Sequence, residues 1–193
     1  MRTRARRPYV RIIAGEWRGR KLVAPPGEAT RPTADRTRET LFNMLASRLG
    51  DFEGLHVADL FAGSGALGLE ALSRGAASCL FVEQDPAAVK AIRSNVEALD
   101  ARSRATVQAG SVMSLSPAKA AHDLILLDPP YGTGAGEVAL DRMVRLGWIG
   151  AATWIALETG AKEEPQVRLL ECVADRRVGK ARLSLLRLTP DAA

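Results

Sequence analysis

Ala58-Asp59-Leu60-Phe61-Ala62-Gly63-Ser64-Gly65-Ala66-Leu67-Gly68 is the stretch from which the fold can be read. An apolar run from Leu55 to Leu60 enters it, turns through glycines and passes into Leu67-Gly68-Leu69-Glu70-Ala71-Leu72 with helical spacing. That order predicts a buried parallel strand, a tight turn and a helix start. Gly63, Gly65 and Gly68 spell G-x-G-x-x-G, a pattern that lets a ligand approach bare backbone at a helix N-terminus. Turn chemistry produces the same pattern by accident, so its weight comes from lying between a strand and a helix. Gly75, after Arg74, is the expected helix C-cap.

Outward from this unit, strand and helix patterns alternate. Cys79 to Glu83 reads as the second sheet strand, and Pro86 opens a helix with Val89, Ile92, Val96 and Leu99 on its apolar face. Arg104 to Ala109 is a third strand, closed by Gly110-Ser111, and His122 to Leu127 a fourth, nearly all apolar as a central parallel strand should be. Glu137 to Leu146 is a further helix and Thr153 to Glu158 a fifth strand. Val167 to Ala174 and Arg182 to Leu188, parted by Gly179-Lys180, read as a closing antiparallel pair. The sum is an α/β fold, an open doubly wound and mostly parallel sheet.

Upstream, Tyr9 to Ala14 reads as a short strand, Gly15 to Gly19 as a turn and Arg20 to Val23 as the returning strand of a hairpin. Pro25-Pro26-Gly27 breaks the pattern. A helix then follows from the Arg31-to-Glu39 segment, with Thr33 or Asp35 as its N-cap and Leu41, Leu45 and Leu49 on its core face. Residues 1–50 thus form a hairpin-and-helix extension, and 51–193 the α/β domain.

Composition bounds the class. With 47% hydrophobic and 25% charged residues among 193, the chain reads as soluble and globular, with enough length to bury a core. It has no apolar run of membrane-spanning length, and its Arg-rich start, including Arg6-Arg7, lacks an apolar signal core, so a cytoplasmic location is expected. Cys79 and Cys172 lie in apolar runs and read as buried free thiols, and two isolated histidines point to no metal site. The net charge of +5 is uneven: residues 1–50 carry 12 Lys/Arg against 4 Asp/Glu, the remainder 15 against 18. A basic arm on a mildly acidic body is the footprint of a partner rich in phosphates. Trp17, among Arg11, Arg18, Arg20 and Lys21, either stacks on unpaired bases or packs the hairpin; the sequence leaves both open. Arg36 and Arg38, two residues apart on one helix, cannot both be buried against the same surface.

Two acids speak to the cofactor. Asp59, next to the glycine turn, would repel a pyrophosphate and attract the sulfonium and α-ammonium of S-adenosylmethionine, unless it only caps the turn or the following helix. Glu83 stands 20 residues past Gly63 and ends the second strand, where a carboxylate that accepts ribose hydroxyls is expected.

The fourth strand runs into Asp128-Pro129-Pro130-Tyr131. Consecutive prolines fix φ twice and hold the Asp128 carboxylate and the Pro129 carbonyl as rigid acceptors. Two such acceptors pull both hydrogens of a nucleobase amine out of conjugation and leave its lone pair aimed at a methyl group. Tyr131 would stack on a base that has left its helix.

Paired with Asp59-Leu60-Phe61-Ala62-Gly63-Ser64-Gly65, this tetrad resembles the class I S-adenosylmethionine-dependent amino-methyltransferases. With Arg11 to Leu22 and Arg31 to Asn43 added, the chain is similar to the RsmD family of bacterial 16S rRNA guanine-N2 methyltransferases from residue 10 to about 188. The resemblance implies a Rossmann-like methyltransferase fold with S-adenosylmethionine as cofactor. The implied partner is 16S rRNA in an assembling small subunit, with no membrane and a monomeric enzyme. It makes Asp128, Pro129, Pro130 and Tyr131 the catalytic tetrad, and Asp59, Phe61, Gly63, Ser64, Gly65, Glu83 and Gln84 the cofactor contacts. Ser111 joins them, standing where many members of the class carry an acid near the end of the third strand. Arg11, Trp17, Arg18, Arg20, Lys21, Arg36 and Arg38 become RNA contacts. Three rivals stand beside this reading: a DNA adenine-N6 methyltransferase, an NAD(P)-dependent oxidoreductase and a non-catalytic RNA-binding module.

Overall fold

The central strands of the α/β body send side chains into two apolar layers. In a computed structural model of the chain, which describes residues 10–25 and 32–190, Val57, Cys79, Phe81, Leu124, Leu126 and Ala156 face one layer. Ala58, Leu60, Val82, Ile125, Leu127, Ile155 and Leu157 face the other. A sheet covered on both faces explains why these strands read as continuous apolar runs.

The elements follow in the order β1 (Val10–Arg11), β2 (Lys21–Leu22), α1 (Pro32–Leu49), β3 (His56–Leu60), α2 (Ala66–Ser73), β4 (Ser78–Glu83) and α3 (Pro86–Ala98). Then come β5 (Ala105–Ala109), β6 (Leu124–Leu127), α4 (Ala135–Arg145), β7 (Trp154–Gly160), β8 (Leu170–Val178) and β9 (Ala181–Leu188). The seven-stranded sheet has the order β5-β4-β3-β6-β7-β9-β8; the first five strands are parallel, and β9 pairs antiparallel with both β7 and β8. The chain winds outward from β3 to β5, then crosses back to β6 and β7. The direction of winding therefore reverses beside β3, and a ligand crevice is expected outside the strand carboxyl ends there.

The glycine turn meets this expectation. Gly65 takes φ 79 at the N-cap of α2, a conformation open to glycine without a Cβ penalty. A Cβ on Gly68 would lie 2.4 Å from the Phe81 ring and 2.6 Å from Cys79 Sγ, so the third glycine lets α2 lie close on β4.

Several boundaries differ from the sequence reading, each for a local reason. The hairpin strands pair Val10 with Leu22 and Arg11 with Lys21, and Ile12 still exchanges backbone bonds with Arg20 and Gly19 at 3.0 and 2.9 Å. Beyond it the N–H groups of Ile13 and Ala14 turn away to donate to the Glu70 carboxylate at 2.7 and 3.0 Å. Tyr9, Pro26, Gly27 and Arg31, with the Arg6-Arg7 pair, lie outside the described residues. Helix α1 begins at Pro32, so neither Thr33 nor Asp35 is its N-cap; Asp35 instead pairs with Arg11 and Arg38, each at 3.0 Å. The strand expected from Val167 to Ala174 runs from Leu170 to Val178, starting after Leu169 turns at φ 67. It is an edge strand, which leaves Cys172 exposed rather than buried; Cys79 alone is enclosed.

Glu70 on α2 anchors the N-terminal segment. Its side chain is fully buried, and besides the two hairpin amides it accepts from Arg74 Nε at 2.9 Å and faces Arg38 Nε at 3.8 Å. Arg74 lies over the Phe42 ring at 4.8 Å, and Arg38 Nη2 donates to the Arg11 carbonyl at 2.5 Å. Breaking a buried ionic cluster of this kind leaves charge uncompensated. Glu70→Gln is expected to lower unfolding stability by about 3 kcal/mol in urea titrations; an unchanged midpoint would show that the cluster is not structural.

Candidate active site

The carboxyl ends of β3, β4, β5 and β6 surround a cleft of about 460 Å³ lined by Phe61, Gly63, Glu83, Gln84, Gly110, Asp128 and Tyr131, among others. Glu83 is fixed at its rim. One carboxylate oxygen accepts from Gly63 N–H and the other from Asp85 N–H, both at 2.8 Å. Each oxygen keeps a second acceptor site for a ligand hydroxyl. Phe61 leaves β3 at φ 63, unusual for a residue with a side chain and typical of backbone held at a functional site. Among the described residues, the lining includes two carboxylates and no lysine or arginine. That donor set disfavours a pyrophosphate and fits a nucleoside ligand with hydroxyls and positive charge, as S-adenosylmethionine is. At Gln84 and Gly110 the cleft continues into a second open cavity against α3, lined also by Val89, Lys90 and Arg93.

Not every residue read as a cofactor contact reaches this cleft. Asp59 is 1% exposed and lies beneath the turn, where its Oδ2 accepts from Gly68 N–H at 2.8 Å. It therefore caps the first turn of α2, the alternative that the sequence leaves open. Ser64 is buried and lines a different cavity, Gly65 belongs to the turn itself, and the Ser111 hydroxyl accepts from Met113 N–H at the start of a short 3₁₀ turn.

That different cavity, an inner one of about 210 Å³, is lined by Thr37, Arg38, Phe61, Ser64, Asp128 and Glu158, and also by Val10 and Gly63. It shares Phe61, Gly63 and Asp128 with the cofactor-sized cleft. Asp128 thus stands where the two cavities meet, while Pro129, Pro130 and Tyr131 line the cleft. Tyr131 is 45% exposed, and its hydroxyl donates to Glu158 Oε1. Burial raises the Tyr131 pKa, and so does the bond to Glu158; the phenol stays protonated, as a donor. Burial also raises the Glu158 pKa, opposed by the Tyr131 hydrogen bond and by the charge of Arg38.

Glu158 is a site residue absent from the sequence-predicted set, although a signal for it exists: it closes the expected Thr153-to-Glu158 strand, and strand ends face the ligand. The observed β7 runs on to Gly160. Two readings of the arm are corrected. Trp17 is 8% exposed, packed in the core with the Arg104 guanidinium 4.8 Å over its ring, so its face is covered and cannot stack on a base. Arg38 is 6% exposed and held by the Arg11 carbonyl and Asp35; it lines the inner cavity instead of an outer RNA surface. Arg11, Arg18, Arg20, Lys21 and Arg36 are exposed. Arg11 pairs with Asp35, and Arg20 donates to the Ala98 carbonyl at 2.6 Å.

Residues 10–187 match the family described as Conserved hypothetical protein 95. The chain is 41% identical over 150 residues to ribosomal RNA small subunit methyltransferase D of Escherichia coli (strain K12), covering 78% of this chain and 74% of the relative. It is 39% identical over 162 residues to the protein of the same name from Haemophilus influenzae, covering 82% of each. The solved structure of a putative methyltransferase, yhhF, from Escherichia coli superposes with a TM-score of 0.82 at 34% identity, covering 93% of this chain and 98% of that one.

Glu83→Ala is expected to weaken S-adenosylmethionine binding about ten- to hundred-fold in calorimetry, the loss of charge-assisted bonds of about 1.5–3 kcal/mol. Unchanged affinity, or tight NAD binding by the parent, would remove Glu83 from the cofactor site.

Proposed function

The chain belongs to the Conserved hypothetical protein 95 family, the RsmD family of methyltransferases, and on that premise we propose that it methylates the exocyclic N2 amine of a guanine in small-subunit ribosomal RNA, with S-adenosylmethionine as donor. The observation that carries the proposal is the position of Asp128, on the wall common to the outer cleft and the inner cavity. A group there meets an acceptor base from one side and the cofactor from the other.

Bound S-adenosylmethionine supplies an electrophilic methyl group on a sulfonium sulfur. Glu83 and the glycine turn hold the cofactor. Asp128 and the Pro129 carbonyl accept the two N2 hydrogens, which turns the amine lone pair out of the ring's π system, and the Asp128 carboxylate takes the proton that N2 releases. Tyr131 offers its ring to the base while Glu158 fixes its hydroxyl. The gain comes from holding two reactants in line, a source worth about 7–11 kcal/mol in favourable cases. The acidic lining of the cleft argues against the oxidoreductase reading, which brings a pyrophosphate to the same place.

In this reading residues 51–193 are the catalytic domain, and 1–50 an extension that docks RNA phosphates through Arg11, Arg18, Arg20, Lys21 and Arg36. The names of the relatives support ribosomal RNA as the substrate class, and the assembling subunit as its setting is part of the proposal. Among the described residues, no helix is long and apolar enough to cross a membrane.

Asp128→Ala is expected to abolish transfer while weakening cofactor binding less than Glu83→Ala does, since its carboxylate meets the amine rather than the ribose; near-normal turnover would refute the amine-orienting role. Replacing Arg18, Arg20 and Lys21 together by Ala is expected to weaken RNA binding and to flatten the log–log salt slope by roughly 0.7–0.9 for each phosphate no longer neutralised. Unchanged slopes across several salt concentrations would mean that these charges only solvate the hairpin.

A further inference from the structure

Glu158 has an acceptor that the transfer scheme leaves unused. Leu127 and Leu157 are register partners on the adjacent parallel strands β6 and β7, so Asp128 and Glu158 follow them side by side at the carboxyl edge of the sheet. Both line the inner cavity. The Tyr131 hydroxyl occupies Glu158 Oε1, which leaves Oε2 for a ligand. Arg38 lines the same cavity, buried and fixed by the Arg11 carbonyl and Asp35. Burial on balance raises the Glu158 pKa, and the Tyr131 hydrogen bond and the Arg38 charge oppose it; in its ionised form the carboxylate only accepts hydrogen bonds.

Two neighbouring carboxylates select for two neighbouring donors. On the Watson–Crick edge, guanine presents N1–H beside the N2 amine, whereas adenine presents a bare N1 lone pair beside C2–H. We propose that Glu158 is the residue that selects guanine: its Oε2 accepts N1–H while Asp128 and the Pro129 carbonyl hold the N2 amine. The inference rests on the guanine-N2 reading of the site and adds the group that reads the base. A purine with a lone pair at N1 would face the Glu158 carboxylate acceptor to acceptor, and a buried mismatch of that kind is costly.

The test uses small-subunit RNA carrying either the target guanine or 2-aminopurine in its place. 2-Aminopurine keeps the N2 amine that receives the methyl but has a lone pair at N1. Single-turnover methylation by the parent should favour guanine about ten- to hundred-fold. Glu158→Gln keeps an oxygen for the Tyr131 hydroxyl and puts an N–H donor where Oε2 stood. Its preference should fall to parity or reverse toward 2-aminopurine. The ratio of the two substrates does not depend on the fraction of active enzyme, and S-adenosylmethionine affinity is expected to match the parent because Glu158 does not line that cleft. A parent indifferent to the two bases, or a Glu158→Gln variant with the parent's ratio, would overturn this assignment and leave guanine-N2 transfer standing. Methyl transfer by the parent to a different base or atom would overturn both.

Discussion

A buried carboxylate, Glu70, holds the N-terminal segment to the rest of the molecule. Fully enclosed, it is satisfied because two backbone amides after β1 and the Arg74 guanidinium converge on it, with Arg38 facing it. Such a charge is tolerated in a core when it is paired and hydrogen-bonded. The consequence reaches the site. The arm seats on α2 through Glu70 and on α1 through Arg38, and Arg38 is a wall of the inner cavity beside Glu158. The shape of that pocket and the seat of the basic arm therefore share one set of hydrogen bonds.

The second constraint is the parallel sheet. Strands β3, β4, β6 and β7 run the same way; Glu83 ends β4, Asp128 follows β6, and Glu158 lies near the end of β7, before Gly160. Each of these acids has a fixed direction. Glu83 is held by two backbone amides, and Glu158 by Tyr131. These separate supports give the acids different tasks: one faces the outer cleft, one the inner cavity, and Asp128 both.

Much of this was legible in the sequence, because its signals are local. The strand–glycine–helix order, the all-apolar fourth strand and the rigid Asp128-Pro129-Pro130-Tyr131 segment each follow from neighbouring residues. What the sequence withheld depends on distant partners. Arg38 counts there as one more positive charge on the arm, and nothing local says that the Arg11 carbonyl and Glu70 enclose it. Trp17 is covered by Arg104, a residue far along the chain. The place of Asp59 beside the turn is a local matter, but whether its carboxylate faces the ligand or Gly68 N–H is a question of side-chain direction. Beyond Ile12 the next two amides of the hairpin go to a carboxylate on α2. Glu158 can be found by asking what ends the expected fifth strand; its link to Tyr131 cannot.

The most direct measurement is nucleoside mass spectrometry of small-subunit RNA after incubation of the parent protein with S-adenosylmethionine labelled in its methyl group, alone and in assembling particles. The label is expected in N2-methylguanosine at a single position. Label in N6-methyladenosine or in a ring-methylated guanosine, or none in RNA from a protein that binds the cofactor, would contradict guanine-N2 transfer.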